Sequence, residues 1–90
     1  MRDALFRALA DPTRRRILEL LAERDRTAGE IAEHFPIAFA SVSHHLGVLK
    51  AAGLVASERE GQHFRYRLNT TVFQEVVRYL MAKFAGGSDA

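Results

Sequence analysis

The spacing of apolar and polar positions divides the chain into short helices, a pair of strands and a closing helix. Leu5, Phe6 and Leu9 recur at helical spacing between Asp3 and Ala10 and predict a short amphipathic helix. A second helix follows in ADPTRRRILELLAER. Asp11 is placed to cap its orphan amides, and Pro12 falls at the first helical position, where a missing N–H loses nothing. Ile17, Leu18, Leu20 and Leu21 form its apolar face, and Arg14, Arg15 and Arg16 read as a solvated flank, some paired with Glu19 or Glu23. TAGE at 27–30 has the form of a capping box. The helix that it opens, AGEIAEHF, ends before Pro36 and carries His34 as a surface residue. Val42, Leu46 and Leu49 make one stripe of the next helix, which closes near Gly53. Joined by the short turn FPIA, these two helices form a helix-turn-helix outline.

Beyond Gly53 the period falls to two. Phe64, Tyr66 and Leu68 alternate with His63, Arg65 and Arg67, which predicts a strand with one buried and one basic face. Gly61, between Glu60 and Gln62, marks the turn from an earlier strand over Leu54 to Arg59. Thr71 and Gln74 then suggest a second capping box, opening the helix TVFQEVVRYLMAKFAGG, which stops at Gly86 and Gly87 before a frayed SDA tail. Val72, Phe73, Val76, Val77, Leu80, Met81 and Phe84 of that helix span about 180° of its circumference, wider than one core contact requires. One side is expected to meet the protein's own core and the other a second copy. The expected interface is Leu5, Phe6, Leu9, Phe73, Val77, Leu80, Met81 and Phe84.

The fold class predicted is mainly α with a small β-hairpin. It is a winged helix-turn-helix of about five helices and a two-stranded wing, in a single domain over residues 1–90. A chain of 90 residues with 48% hydrophobic residues can bury a small core. No apolar run approaches a membrane span and no signal peptide opens the chain, so neither membrane insertion nor export is expected. The absence of cysteine removes disulfides, thiolate metal sites and cysteine nucleophiles and fits a cytoplasmic protein. No nucleophile–base–acid set, phosphate loop or paired carboxylates stand out, so no enzyme is expected.

Charge placement narrows the functional surface. Residues 1–35 balance at zero, as do residues 69–90, so the net +2 arises between 36 and 68. There Lys50, Arg59, Arg65 and Arg67 outnumber Glu58 and Glu60, with His44, His45 and His63 alongside. A helix that can enter the major groove, followed by a basic hairpin that can lie along phosphates, fits duplex DNA. The expected contacts are Phe39, Ala40, Ser41, Ser43, His44 and Lys50 on the recognition helix, and Arg59, Gln62, His63, Arg65 and Arg67 on the wing. Phe39 or Ala40 could touch a thymine methyl, although Phe39 fits a turn or core anchor equally well.

The adjacent histidines divide by helical phase. With Val42 at zero, Leu46 and Leu49 fall within roughly 40° of it, His45 about 60° away and His44 about 160° away. His44 is therefore expected to face the groove, and His45 to be a partly buried, hydrogen-bonded packing residue. Neighbours in a helix do not face each other, which makes the pair a poor chelate.

ALADPTRRRILELL, TAGEIAEHF, SVSHHLGVLKAAGLV and EREGQHFRYRLN, in this order and at these spacings, resemble the ArsR/SmtB family of bacterial repressors from about Ala8 to Asn69. TAGEIAEHF and RLNTTVFQEVV are similar to its SdpR-type autorepressor branch. The resemblance implies a homodimeric repressor on an imperfect inverted repeat of double-stranded DNA, often in its own promoter. The chain departs from the metal-sensing members. RTAGEIAEHF holds none of their cysteines, and VFQEVVRYLMAKF lacks the Asp and His ligands of the last helix, so no metal and no cofactor are expected. The alternatives are a metal-responsive repressor with non-standard ligands, or a regulator controlled by a protein partner through its terminal helices. A second departure lies at the start of the recognition helix, where family members often have Ser and polar residues and this chain has Ala38, Phe39 and Ala40.

Overall fold

The computed structural model describes residues 2–85. The order is α1 (Arg2–Leu9), α2 (Pro12–Glu23), β1 (Arg26–Thr27), α3 (Ala28–Ala32), α4 (Phe39–Ala51), β2 (Val55–Glu60), β3 (His63–Leu68) and α5 (Thr70–Leu80). The last helix widens into a π-helical turn over Met81–Ala85. The expected stop at Gly86 and Gly87 and the SDA tail lie outside the described residues.

Local chemistry explains the helix boundaries. Asp11 Oδ2 accepts the Arg14 amide at 3.0 Å, with Pro12 opening α2. Thr27 and Glu30 close the capping box in both directions: the Thr27 amide reaches Glu30 Oε1 at 2.7 Å and the Glu30 amide reaches Thr27 Oγ1 at 3.1 Å. α3 is shorter than AGEIAEHF, because His34 and Phe35 donate to carbonyls three residues back and tighten the chain into turns. The connection to α4 therefore runs over residues 33–38, longer than FPIA.

α4 ends in a Schellman motif. The Gly53 amide bonds to Lys50 O at 2.9 Å and the Leu54 amide to Leu49 O at 3.0 Å, with Gly53 at φ 80°. Leu49 and Leu54, the apolar pair of that motif, are fully buried. The cap of α5 differs from the expected capping box: Asn69, not Thr71, accepts the amide of Val72, at 3.4 Å. An Asx residue one position outside the helix outcompetes a threonine already within it.

The wing is a hairpin registered Val55↔Leu68 through Glu60↔His63. Its two-residue loop has Gly61 at φ 65° and no positive φ at Gln62, the pattern of a type II′ turn. A third strand, β1, pairs antiparallel with β3 through Arg26↔Tyr66 and Thr27↔Arg65, giving the order β1-β3-β2. Two residues are too few to show an alternation, so this strand was not expected from periodicity. The buried Arg26 secures it, donating to Leu20 O at 3.0 Å and to Glu23 at 2.7 Å.

The core gathers Ala8, Ile17, Leu18, Leu21, Ile31, Val42, Leu46, Leu49, Leu54 and Val55 from all of α1 to α4 and the root of the wing. This packing seats α4 with one face inward and leaves its opposite face open.

Candidate nucleic-acid interface

The inner stripe of α4, Val42, Leu46 and Leu49, is fully or almost fully buried. Ala40, Ser43, His44, Gly47 and Lys50 are exposed on the other side. Ser41 is exposed on the flank. Phe39, at 55% exposure, stands out from the first turn and is not a core anchor. Ala38 caps α4 without a side-chain hydrogen bond, as the departure at that position implied.

The histidines separate as their phases predicted. His44 is exposed, and the His45 side chain is 17% exposed. Arg14 Nη1 lies 3.2 Å from His45 Nδ1, and Asp11 Oδ2 lies 3.9 Å from the same nitrogen. A guanidinium can only donate, so His45 Nδ1 is the acceptor in this contact. The same Arg14 side chain donates from Nε to Ala8 O at 2.8 Å and from Nη2 to Arg7 O at 3.0 Å. Arg15 donates to Leu9 O at 2.8 Å. Of the three arginines read as a solvated flank, only Arg16 pairs as expected, with Glu19 at 3.1 Å. Arg14 instead ties the end of α1 to the inner edge of the recognition helix. The sequence places Arg14 and His45 31 residues apart, so no local pattern pointed to this contact.

The wing carries its charge in pairs. Cross-strand register puts Ala56, Glu58 and Glu60 on the same face as Arg67, Arg65 and His63. Arg65 is half-buried and grips Glu60 through Nε at 2.9 Å and Nη2 at 3.0 Å, with Glu30 of the capping box 4.0 Å from Nη1. The hydrogen bond from Arg65 holds the Glu60 carboxyl below the ordinary carboxylate range, and Glu60 raises Arg65 in return. Arg67 lies 3.8 Å from Glu58. The expected basic face is therefore a mixed one. Among the described residues, Lys50 and Arg59 form no ion pair with a carboxylate. Arg59 donates to Gly61 O at 3.0 Å and sits 6.0 Å from the centroid of the Phe64 ring. Gln62 and His63 are exposed beside it. Phe64, expected on the buried face, is 46% exposed because the hairpin tip projects past the core, whereas Tyr66 and Leu68 nearer its root pack against it.

The residues expected at a dimer interface fall into two groups. Leu5, Leu9 and Phe73 are half-buried against the core. Phe6, Val77, Leu80, Met81 and Phe84 are 37%, 56%, 38%, 59% and 69% exposed, and Val76 alone of α5 is buried. The rings of Phe6 and Tyr79, 5.9 Å apart, bring α1 beside α5. Among the described residues no group of three or more His, Cys, Asp or Glu side chains gathers as metal ligands would, and no helix is long and apolar enough to cross a membrane.

Comparison with known proteins gives a consistent result. The family model described as bacterial regulatory protein, arsR family, matches residues 11–57. The transcriptional repressor SdpR of Bacillus subtilis (strain 168) is 51% identical over 77 residues, which cover 86% of this chain and 86% of that protein. Among solved structures, an ArsR-like transcriptional regulator from Rhodococcus sp. RHA1 superposes with a TM-score of 0.87 at 32% identity, over 97% of this chain and 80% of that one. A second ArsR family transcriptional regulator gives a TM-score of 0.88 at 27% identity, over 98% and 91%.

Proposed function

The chain belongs to the ArsR family of bacterial regulatory proteins and is a DNA-binding transcriptional regulator, and from that premise we propose that it acts as a homodimeric repressor on an inverted-repeat operator. The observation that carries this reading is the division of α4, with one stripe locked in the core and the opposite stripe uncovered. In the proposed complex α4 enters the major groove. Phe39, Ala40, Ser41, Ser43 and His44 meet base edges, and Lys50 meets a phosphate. Arg59, Gln62, His63 and Arg67 lie along the backbone, while Arg65, held by Glu60, sets the wing more than it touches DNA.

Residues 1–90 act as one domain in this proposal, with the terminal helices joining two copies through Leu5, Phe6, Leu9, Phe73, Val77, Leu80, Met81 and Phe84. The exposed apolar run of α5 supports it, since surface of that kind is costly to leave in water. A two-fold pair of recognition helices about one DNA turn apart would read the two half-sites. Its place of action is the cytoplasm, where bacterial DNA is found. The same terminal helices, with their exposed apolar side chains, could also receive a protein regulator. No catalytic residue, cofactor or metal enters the proposal.

Selection of bound duplexes from a random-sequence library, at two salt concentrations, tests it. Specific sites with dyad symmetry are expected. Binding that is independent of sequence at both concentrations would refute it.

A further inference from the structure

The leading end of the recognition helix is apolar where base-reading groups are expected. From Phe35 to Ala40 no side chain can donate or accept a hydrogen bond. Ile37 is 41% exposed and Phe39 is 55% exposed, on either side of an Ala38 that provides no side-chain cap. Phe39 and Ser43 stand one helical turn apart, as do Ala40 and His44, so this apolar surface runs directly into the polar stripe of α4.

Recognition helices of this class place their N-terminal residues against base edges. Side chains without donors or acceptors cannot read the hydrogen-bonding pattern of the major groove. The groove displays one apolar group, the C5 methyl of thymine. We propose that Phe39, flanked by Ile37 and Ala40, reads thymine methyl groups, so that each operator half-site carries thymine where the first turn of α4 enters. This rests on α4 being the DNA-reading helix and adds the base chemistry that it selects. Continuity with the exposed stripe of α4 favours DNA as the occupant over a second copy. The apolar surface suited to a copy lies on other elements, α1 and α5.

Burial of one methyl group corresponds to about fourfold in affinity. The test takes the duplex enriched by the full-length chain and replaces its thymines one at a time with deoxyuridine. That change removes the methyl group and leaves every hydrogen-bonding group in place. The wild-type chain should lose about fourfold at one thymine per half-site. Phe39→Leu, which keeps an apolar side chain, should remain sensitive. Phe39→Gln should become insensitive at that position and enrich a different base there. Because Phe39 is exposed, both variants should melt with the wild type, which thermal unfolding checks.

The inference is overturned if the enriched duplex tolerates deoxyuridine everywhere, or if Phe39→Gln stays as sensitive as the wild type. It is also overturned if Phe39→Gln alters self-association and leaves base preference alone, which would assign this surface to a second copy. Failure of the underlying reading looks different. In that case no duplex is enriched, or Ser43→Ala and His44→Ala both bind the enriched duplex like the wild type.

Discussion

Arg65 lies fork against carboxylate on Glu60, with both of its hydrogen bonds at 3.0 Å or shorter. Both arginines of β3 thus already face a carboxylate before DNA arrives, Arg67 more loosely with Glu58 at 3.8 Å. Glu60→Gln should release the guanidinium and remove a repelling charge from the wing. Affinity for non-specific duplex should rise, and the slope of log K against log salt should steepen by about one phosphate contact. Fluorescence anisotropy with labelled DNA across a salt series reads both; an unchanged slope would show that Arg65 never reaches the backbone.

His44 and His45 should respond oppositely to truncation. His44→Ala should weaken specific binding at nearly constant Tm, because its side chain is exposed and, among the described residues, touches only its neighbour's ring. His45→Ala removes the acceptor of Arg14 and opens a gap beside the core, at about 1–3 kcal/mol. Thermal unfolding together with operator titration per folded molecule separates the two. Equal loss of stability in both variants would contradict the assignment.

Gly47 sits at the middle of the exposed stripe of α4, and a Cβ there would meet nothing within 4 Å. Gly47→Ala should therefore stabilise the free protein by about 0.8 kcal/mol through helix propensity. The added methyl lies on the DNA-facing side, so operator affinity should fall while Tm rises. Gly53→Ala should do the reverse to stability, losing about 1–2 kcal/mol, because φ 80° disfavours any side chain. Parallel melting curves and binding titrations of both variants decide the point.

Acid should destabilise the protein through its caps. The Arg14 amide holds the Asp11 carboxyl below the ordinary carboxylate range, and the Thr27 amide does the same for Glu30. A carboxyl depressed in the folded state contributes stability at pH above its unfolded value, and this is lost as pH falls through the folded value. Tm should thus hold steady down to roughly pH 4–5 and decline below it. Asp11→Asn, which still caps but cannot titrate, should flatten part of that decline. An identical pH profile for the variant would remove Asp11 from the account.

Self-association should depend on the exposed stripe of α5. Met81→Asp or Phe84→Asp places a charge on surface that is 59% or 69% exposed, so the fold of the single chain should survive. Light scattering should report a dimer for the wild type and a monomer for either variant, with operator affinity falling alongside. A monomeric wild type at micromolar concentration would overturn the proposed interface.

The elements legible in the chain were those encoded by neighbours. Asp11-Pro12, the Thr27–Glu30 box, Gly53 and the alternation about Tyr66 all act within a few residues, and each element they mark is present. Helical phase alone separated His44 from His45. Errors arose where signals competed or were too short: Asn69 displaced Thr71 as cap, and Arg26–Thr27 formed a strand too brief for a period.

The amino-acid sequence by itself determined the class of the molecule, the helix that faces outward and the side of that helix left open, because period and capping are local properties. Tertiary structure alone decided which charges are free. Arg14 is committed to two α1 carbonyls and His45, and Arg65 to Glu60, whereas Lys50 and Arg59 lack carboxylate partners among the described residues. Hydrogen bonding and ion pairing act over a few ångströms in space, and those distances follow from how the segments pack rather than from their order along the chain.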